Sequence, residues 1–268
     1  MKKNLVMTYL HGNDCMHMLE TELYLQSLSK LKNCEKAIFV NGVSDGNVEI
    51  LKKIYDIIIP DDENPELAHL SIYKWLCEHV DEYDYVLNTD LRDVIFQRDP
   101  FEFFMNNPDK KMFFTLEGMT IQESECNRIW HQWYRNNIRF HKDEYLDSFV
   151  INGGVWGGKI EQAMNFCLFI FSQVNMISRA PIINQQSMGY FYKFWKANPQ
   201  VMLCHPYEDV FCCTGEAIKY DNIDVYFNEN NLACNKDGEP YYIFHQWDRT
   251  EIAQKIIEKQ FTGLKFSL

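Results

Sequence analysis

Apolar residues change period repeatedly along the first hundred positions. Residues 4–12 (NLVMTYLHG) form a nearly continuous apolar run of strand length, and Leu19, Leu23, Leu28 and Leu31 then recur at helical spacing. Residues 36–42 (KAIFVNG) read as a second strand closed by a glycine, 48–54 as a short helix, and 55–60 (YDIIIP) as a third strand stopped by proline. Pro65 stands near the start of a helix that continues through Leu67, Leu70, Trp75 and Leu76, and 83–90 (YDYVLNTD) is a fourth strand. This alternation predicts an α/β fold with a mostly parallel central sheet flanked by helices. In such sheets ligands bind beyond the carboxyl ends of the strands, and Asp90 stands at one.

Past residue 100 the periods loosen. Residues 110–118 read as a strand, 123–140 as a polar, aromatic-rich helix or loop, and 148–158 as a strand interrupted by glycines. A strongly apolar helix is predicted over 160–174, and Pro181 introduces another at about 184–195. Residues 224–250 contain two β-rich runs around 235–238 (NKDG), which predicts a hairpin and a smaller antiparallel part towards the C-terminus. A last helix is expected over 250–260. With no repeat, low-complexity tract or linker, a single domain over 1–268 is the expectation.

Composition narrows the function classes. With 46% hydrophobic residues the chain can bury a large core, and its net charge of −12, with no concentration of Lys and Arg, argues against nucleic acid as a partner. Nine cysteines at irregular spacing include no C-x-x-C pair, so they read as small buried hydrophobes of a reducing compartment. The apolar run from Leu5 to Leu10 is too short for a signal segment, and no stretch reaches the ~18 apolar residues of a membrane span. A soluble, cytoplasmic protein is expected, with peripheral membrane association left open.

Four segments carry candidate chemistry. Asp90 and Asp93 place two repelling carboxylates at one strand end, with Arg92 between them. A divalent cation such as Mg²⁺ or Mn²⁺ would relieve that repulsion; a solvated acidic turn with a surface ion pair is the plainer alternative. Asp99 reads simply as the cap of a helix that begins at Pro100. In 152–158 (NGGVWGG), paired glycines around Trp156 signal a bulge or a close approach, beside the donors and acceptors of Asn152. It matches neither phosphate-loop glycine pattern. Asn184, Gln185 and Gln186 open a predicted helix, where free N–H groups suit polar ligands and a simple cap is the alternative. Last, His245 follows an apolar run and precedes Trp247, Asp248 and Arg249; it is a metal-ligand candidate beside a diphosphate-binding arginine, although a lone strand-end histidine is more often structural.

In this order the four segments resemble GT-A-fold glycosyltransferases. Asp90-Leu-Arg-Asp93 followed by VIFQRDPF is similar to their D-x-D region, NGGVWGG to the strand beside the donor sugar, NQQSMGYFY to a D-Q-x-x-[LF]-N segment, and FHQWDR to the C-terminal histidine segment. The resemblance implies a GT-A-like domain with a nucleotide-binding half over 1–105 and an acceptor- and sugar-binding half over 106–268. It implies transfer of a sugar from a nucleotide diphosphate sugar, a UDP-sugar favoured, to a hydroxyl of a glycan or glycoconjugate. Mn²⁺ or Mg²⁺ would be held by Asp90, Asp93 and His245. The donor would meet Thr8, His11, Asn13, Asp90, Arg92, Gly153, Gly154, Trp156, Asn184, Gln186 and Arg249. The acceptor would lie over Asn152, Gly153, Trp156 and Gln185, with Asp93, Asn152 and Gln185 as catalytic residues. The histidine segment points to retention; an inverting enzyme would need a base, and Glu117 is the candidate. Two departures stand out: D-x-D is D-x-R-D here, and Asn184 takes an acidic position. A GT-A-like protein that binds a sugar nucleotide or partner without turnover is the competing reading. A Mg²⁺-dependent phosphohydrolase of the haloacid-dehalogenase type is more remote, because VMTYLHGND lacks that family's nucleophilic Asp.

Overall fold

The computed structural model describes residues 2–137, 145–176, 185, 188–189, 192–214, 226–249 and 251–261. Strands β1 (Lys3–His11), β2 (Glu35–Asn41), β3 (Ile57–Pro60) and β4 (Tyr83–Thr89) pair in parallel, as the alternation predicts. They extend into β6 (Met112–Thr120), β7 (Phe149–Lys159) and β8 (Val201–Cys204), giving the sheet order β3-β2-β1-β4-β7-β6-β8. Strand β7 is antiparallel to both neighbours, and the other pairings are parallel. The fold is thus α/β with a large, mostly parallel mixed sheet. The pairing of β4 with β7 carries one sheet through both halves of the chain.

Both faces of this sheet are buried, which explains the unbroken apolar runs. Val6, Ile38, Leu87 and Phe113 pack on one side with α1 (Leu19–Ser29) and α4 (Pro100–Asn106). Leu5, Phe39, Val86 and Phe114 pack on the other with α3 (Ala68–Glu78) and α6 (Ile160–Met176). Phe104 of α4 stacks on Phe113 with ring centroids 4.5 Å apart. The cap expected at Asp99 is present: its Oδ1 accepts from the Phe101 N–H at 3.0 Å, and Pro100 opens the helix. Asp99→Ala is expected to lower stability by about 1 kcal/mol, read as a lower urea midpoint at unchanged slope.

A second, three-stranded sheet has the order β5-β12-β9, from β5 (Val94–Phe96), β9 (Cys212–Thr214) and β12 (Ile243–His245). Strand β12 runs antiparallel to β5 and parallel to β9, which sets His245 opposite Val94 and Thr214. This pairing returns the C-terminal histidine to the Asp90–Asp93 turn.

Several expected elements shift. Helix α2 (Asp45–Leu51) begins three residues before the expected start at Val48, because Ser44 caps it by accepting from the Asn47 N–H at 3.5 Å. Residues 123–140 resolve in part to helix α5 (Glu125–Asn137). The hairpin forms differently from the expectation: β10 (Tyr226–Phe227) pairs with β11 (Ala233–Cys234), while the 235–238 turn closes on a single Cys234–Pro240 bridge. The run after that turn is drawn away to β5 and β9. Of the helix expected at 184–195, α7 (Tyr192–Ala197) is described; Asn184 and Gln186 lie outside the described residues. The closing helix is α8 (Glu251–Phe261). All nine cysteines are free thiols. Among the described residues, no helix is long and apolar enough to cross a membrane.

Candidate metal centre

Strand β4 ends at Thr89, and the next residue is pinned by the neighbouring strand: the Asp90 N–H donates to the Gly154 carbonyl at 2.8 Å. Three residues on, Asp93 adopts a left-handed backbone (φ 58°) and its carbonyl accepts from the Gln246 N–H at 2.7 Å. Gln246 is itself left-handed (φ 55°). Two non-glycine residues in this sparsely populated region, tied to each other, mark a turn whose geometry the surrounding structure enforces.

The turn and β12 together bring Asp90, Asp93 and His245 within 4.8 Å of one another at their ligand atoms. His245 Nε2 stands 3.5 Å from Asp90 Oδ2 and 3.5 Å from Asp93 Oδ1. Ligand atoms about 2.1–2.2 Å from a shared ion, at about 90–110° to each other, stand roughly 3.0–3.6 Å apart. Both ring nitrogens of His245 are buried without a hydrogen bond, a cost that a ligand would remove. The donor set therefore fits a divalent cation. Burial pulls the imidazole pKa down, yet Asp90 and Asp93 outweigh it and raise it to about 10. Without a cation, a proton shared with the carboxylates takes the same place.

Charge around the triad is crowded. Asp93 is buried, and Arg92 Nη2 and Arg249 Nη2 approach its Oδ2 at 3.6 and 3.8 Å. Burial first, and then the charge of Asp93, pushes the Asp248 carboxyl above its usual range. Neither arginine makes a close hydrogen bond to Asp93 at those distances, and both remain partly exposed, so both can turn to an anion outside.

Beside Asp90 lies a pocket of about 100 Å³ lined by Tyr9, Ala68, His69, Ile72, Asn88 and Gly153. Of these, only Gly153 is expected from sequence. Tyr9 and Asn88 offer no signal beyond lying on strands, and His69 none beyond lying on a helix. The His69 ring stacks on Trp156, centroids 6.3 Å apart, and burial pushes its pKa down to about 4. A histidine held below its unfolded value of about 6.5 makes its stabilisation available above that pH, and loses it as the pH falls towards 4. His69→Phe is expected to flatten the loss of stability between these two pH values, read from urea midpoints.

The remaining expected residues divide. Glu117, Asn152 and Gln185 do meet: Glu117 Oε1 accepts from Asn152 Nδ2 and from Gln185 Nε2, each at 3.1 Å. Asn127, which sequence reasoning did not single out, joins them by donating to Glu117 Oε2 at 3.5 Å. Asn152 Oδ1 accepts from the Gly154 N–H at 2.8 Å, linking this network to the strand that pins Asp90. Glu117 is only 3% exposed and acts as the hub of a buried amide network rather than as an open base. Two other expectations are corrected. Thr8 is fully buried and its hydroxyl bonds Tyr24 at 2.7 Å, so it serves the core. Trp156 is fully buried beneath His69 and packs edge-on against Phe166, so its ring backs the pocket and does not touch an acceptor. His11 and Asn13 lie at the carboxyl end of β1; His11 pairs with Asn41 at 3.0 Å and Asn13 accepts from Ser44 N and Asn47 Nδ2.

Among known proteins, no family model matches the chain and no curated protein matches it.

Proposed function

We propose that this protein is a metal-dependent GT-A-type glycosyltransferase that moves a sugar from a nucleotide diphosphate sugar to an acceptor hydroxyl. The observation that carries the reading is the convergence of Asp90, Asp93 and His245 at the carboxyl edge of the sheet, with Arg92 and Arg249 flanking Asp93. Those three residues would hold a divalent cation, which when bound would supply positive charge for the departing diphosphate. One imidazole beside two carboxylates suits Mn²⁺ better than Mg²⁺, which prefers oxygen ligands alone. Arg92 and Arg249 would turn from Asp93 to the diphosphate oxygens, and His11 and Asn13 stand where the nucleoside would approach β1. The burial of Glu117 among amides favours retention, since an inverting base must reach the acceptor.

The test is release of nucleoside diphosphate from a panel of UDP- and GDP-sugars with Mn²⁺. Release that stops on chelation supports the reading. Donor binding without release with any acceptor would instead mark a sugar-nucleotide-binding protein.

A further inference from the structure

Strand β7 is bulged where it passes the triad. Between the pairs Phe114–Trp156 and Leu116–Ile151, β6 spends only Thr115, whereas β7 spends Asn152, Gly153, Gly154 and Val155. The surplus chain leaves the β6 ladder and brings Gly154 against Asp90 and His245, with no room even for a methyl group. A bulge leaves backbone groups without ladder partners, and Asn152 takes up the one at Gly154. Its Oδ1 accepts from the Gly154 N–H at 2.8 Å, while the Gly154 carbonyl accepts from the Asp90 N–H at 2.8 Å. A single residue of backbone thus joins the Asn152 side chain to Asp90.

The Asn152 amide is held in one orientation. Its nitrogen donates to Glu117 Oε1 at 3.1 Å; a flipped amide would set its oxygen against that carboxylate and its N–H against the Gly154 N–H. Gln185 Nε2 and Asn127 Nδ2 donate to the same carboxylate and brace it. We infer that Asn152 is a positioning residue for the cation: it fixes the β7 bulge whose Gly154 carbonyl sets where the Asp90 side chain begins. The inference rests on the cation site of the proposed reading. Outer partners govern metal affinity because they fix a ligand's direction before the ion arrives. Asp90 needs such a partner more than Asp93 does, since its side chain is exposed and that of Asp93 is buried.

The experiment titrates Mn²⁺ into the full chain, followed by paramagnetic resonance, alongside thermal melting, for the parent, Asn152→Leu and Asn152→Asp. Leucine keeps the volume and removes the acceptor at Gly154, and Mn²⁺ affinity should fall ~10-fold or more. Aspartate keeps that acceptor but sets a second carboxylate against Glu117, so this variant should melt lower than the parent yet bind Mn²⁺ nearly as tightly. With a merely structural role, affinity follows stability; with a positioning role, it follows the acceptor. Parental affinity in folded Asn152→Leu overturns the inference, as does a loss in Asn152→Asp as large as in Asn152→Leu. Should Asn152→Leu not fold, hydrogen exchange on the unaltered protein decides. Coupling is reciprocal, so Mn²⁺ should slow exchange at the Gly154 amide more than at the amides of β2, and equal slowing overturns the inference. Absence of Mn²⁺ binding to the unaltered protein overturns the cation site itself.

Discussion

Gly154→Ala is expected to remove cation binding while leaving the fold in place. A Cβ at residue 154 would lie 2.7 Å from His245 Cε1 and 2.8 Å from Asp90 Cγ, and closer still to Asp90 Oδ2. His245 is 1% exposed and has nowhere to go, whereas Asp90 is an exposed side chain at the strand end and swings out. The methyl group thus displaces one of the three proposed ligands, and Mn²⁺ affinity should fall by roughly 100-fold or more, with the melting temperature within a few degrees of the parent. Calorimetric titration of Mn²⁺ checks it; unchanged affinity would show that Asp90 is not a ligand. The other glycine pair behaves differently. A Cβ at Gly157 meets the Val86 carbonyl at 2.8 Å, and one at Gly158 meets Met112 Cα at 2.9 Å, both in rigid backbone. The paired glycines around Trp156 therefore serve two ends: Gly154 leaves room for the triad, and the second pair lets strands β4 and β6 approach.

Asp93→Asn should abolish cation binding as completely and for a different reason. Asparagine keeps the shape of aspartate and tolerates the left-handed backbone at φ 58°, so the turn and the Gln246 N–H bond to its carbonyl survive. What disappears is the charge shared by His245, Arg92 and Arg249. Asp93→Ala should lose the cation equally but also unfold at lower denaturant, since alanine in this region costs on the order of 1 kcal/mol or more. Equal binding loss with unequal stability loss separates the ligand role from the turn role.

Strand β3, half-buried at the sheet edge, was legible because three isoleucines run up to a proline, and strands β1, β2 and β4 because their central residues are buried and apolar. That same property hid the direction of individual side chains. With no polar face to set the parity, the sequence alone reads Thr8 and Trp156 as ligand contacts, whereas both are buried in the core. The small sheet left little trace, since β5, β9 and β12 are three residues each, too short for a period to register. Its consequence is large, because pairing of His245 with Val94 is what makes two carboxylates and an imidazole one site. The residue types of the triad could be read in sequence, but their meeting depends on a contact spanning about 150 positions. The pocket beside them is built from four elements at once, β1, α3, β4 and β7, and no single segment announces it.

In the proposed reading Asp90, Asp93 and His245 hold a divalent cation that a diphosphate completes. Titrating UDP into the protein with saturating Mn²⁺, and again with chelator, tests it most directly. The expected result is one Mn²⁺ per chain and UDP binding that depends on it, both lost in Asp93→Asn. Equal UDP affinity with and without metal, or Mn²⁺ binding that survives Asp93→Asn, would contradict it.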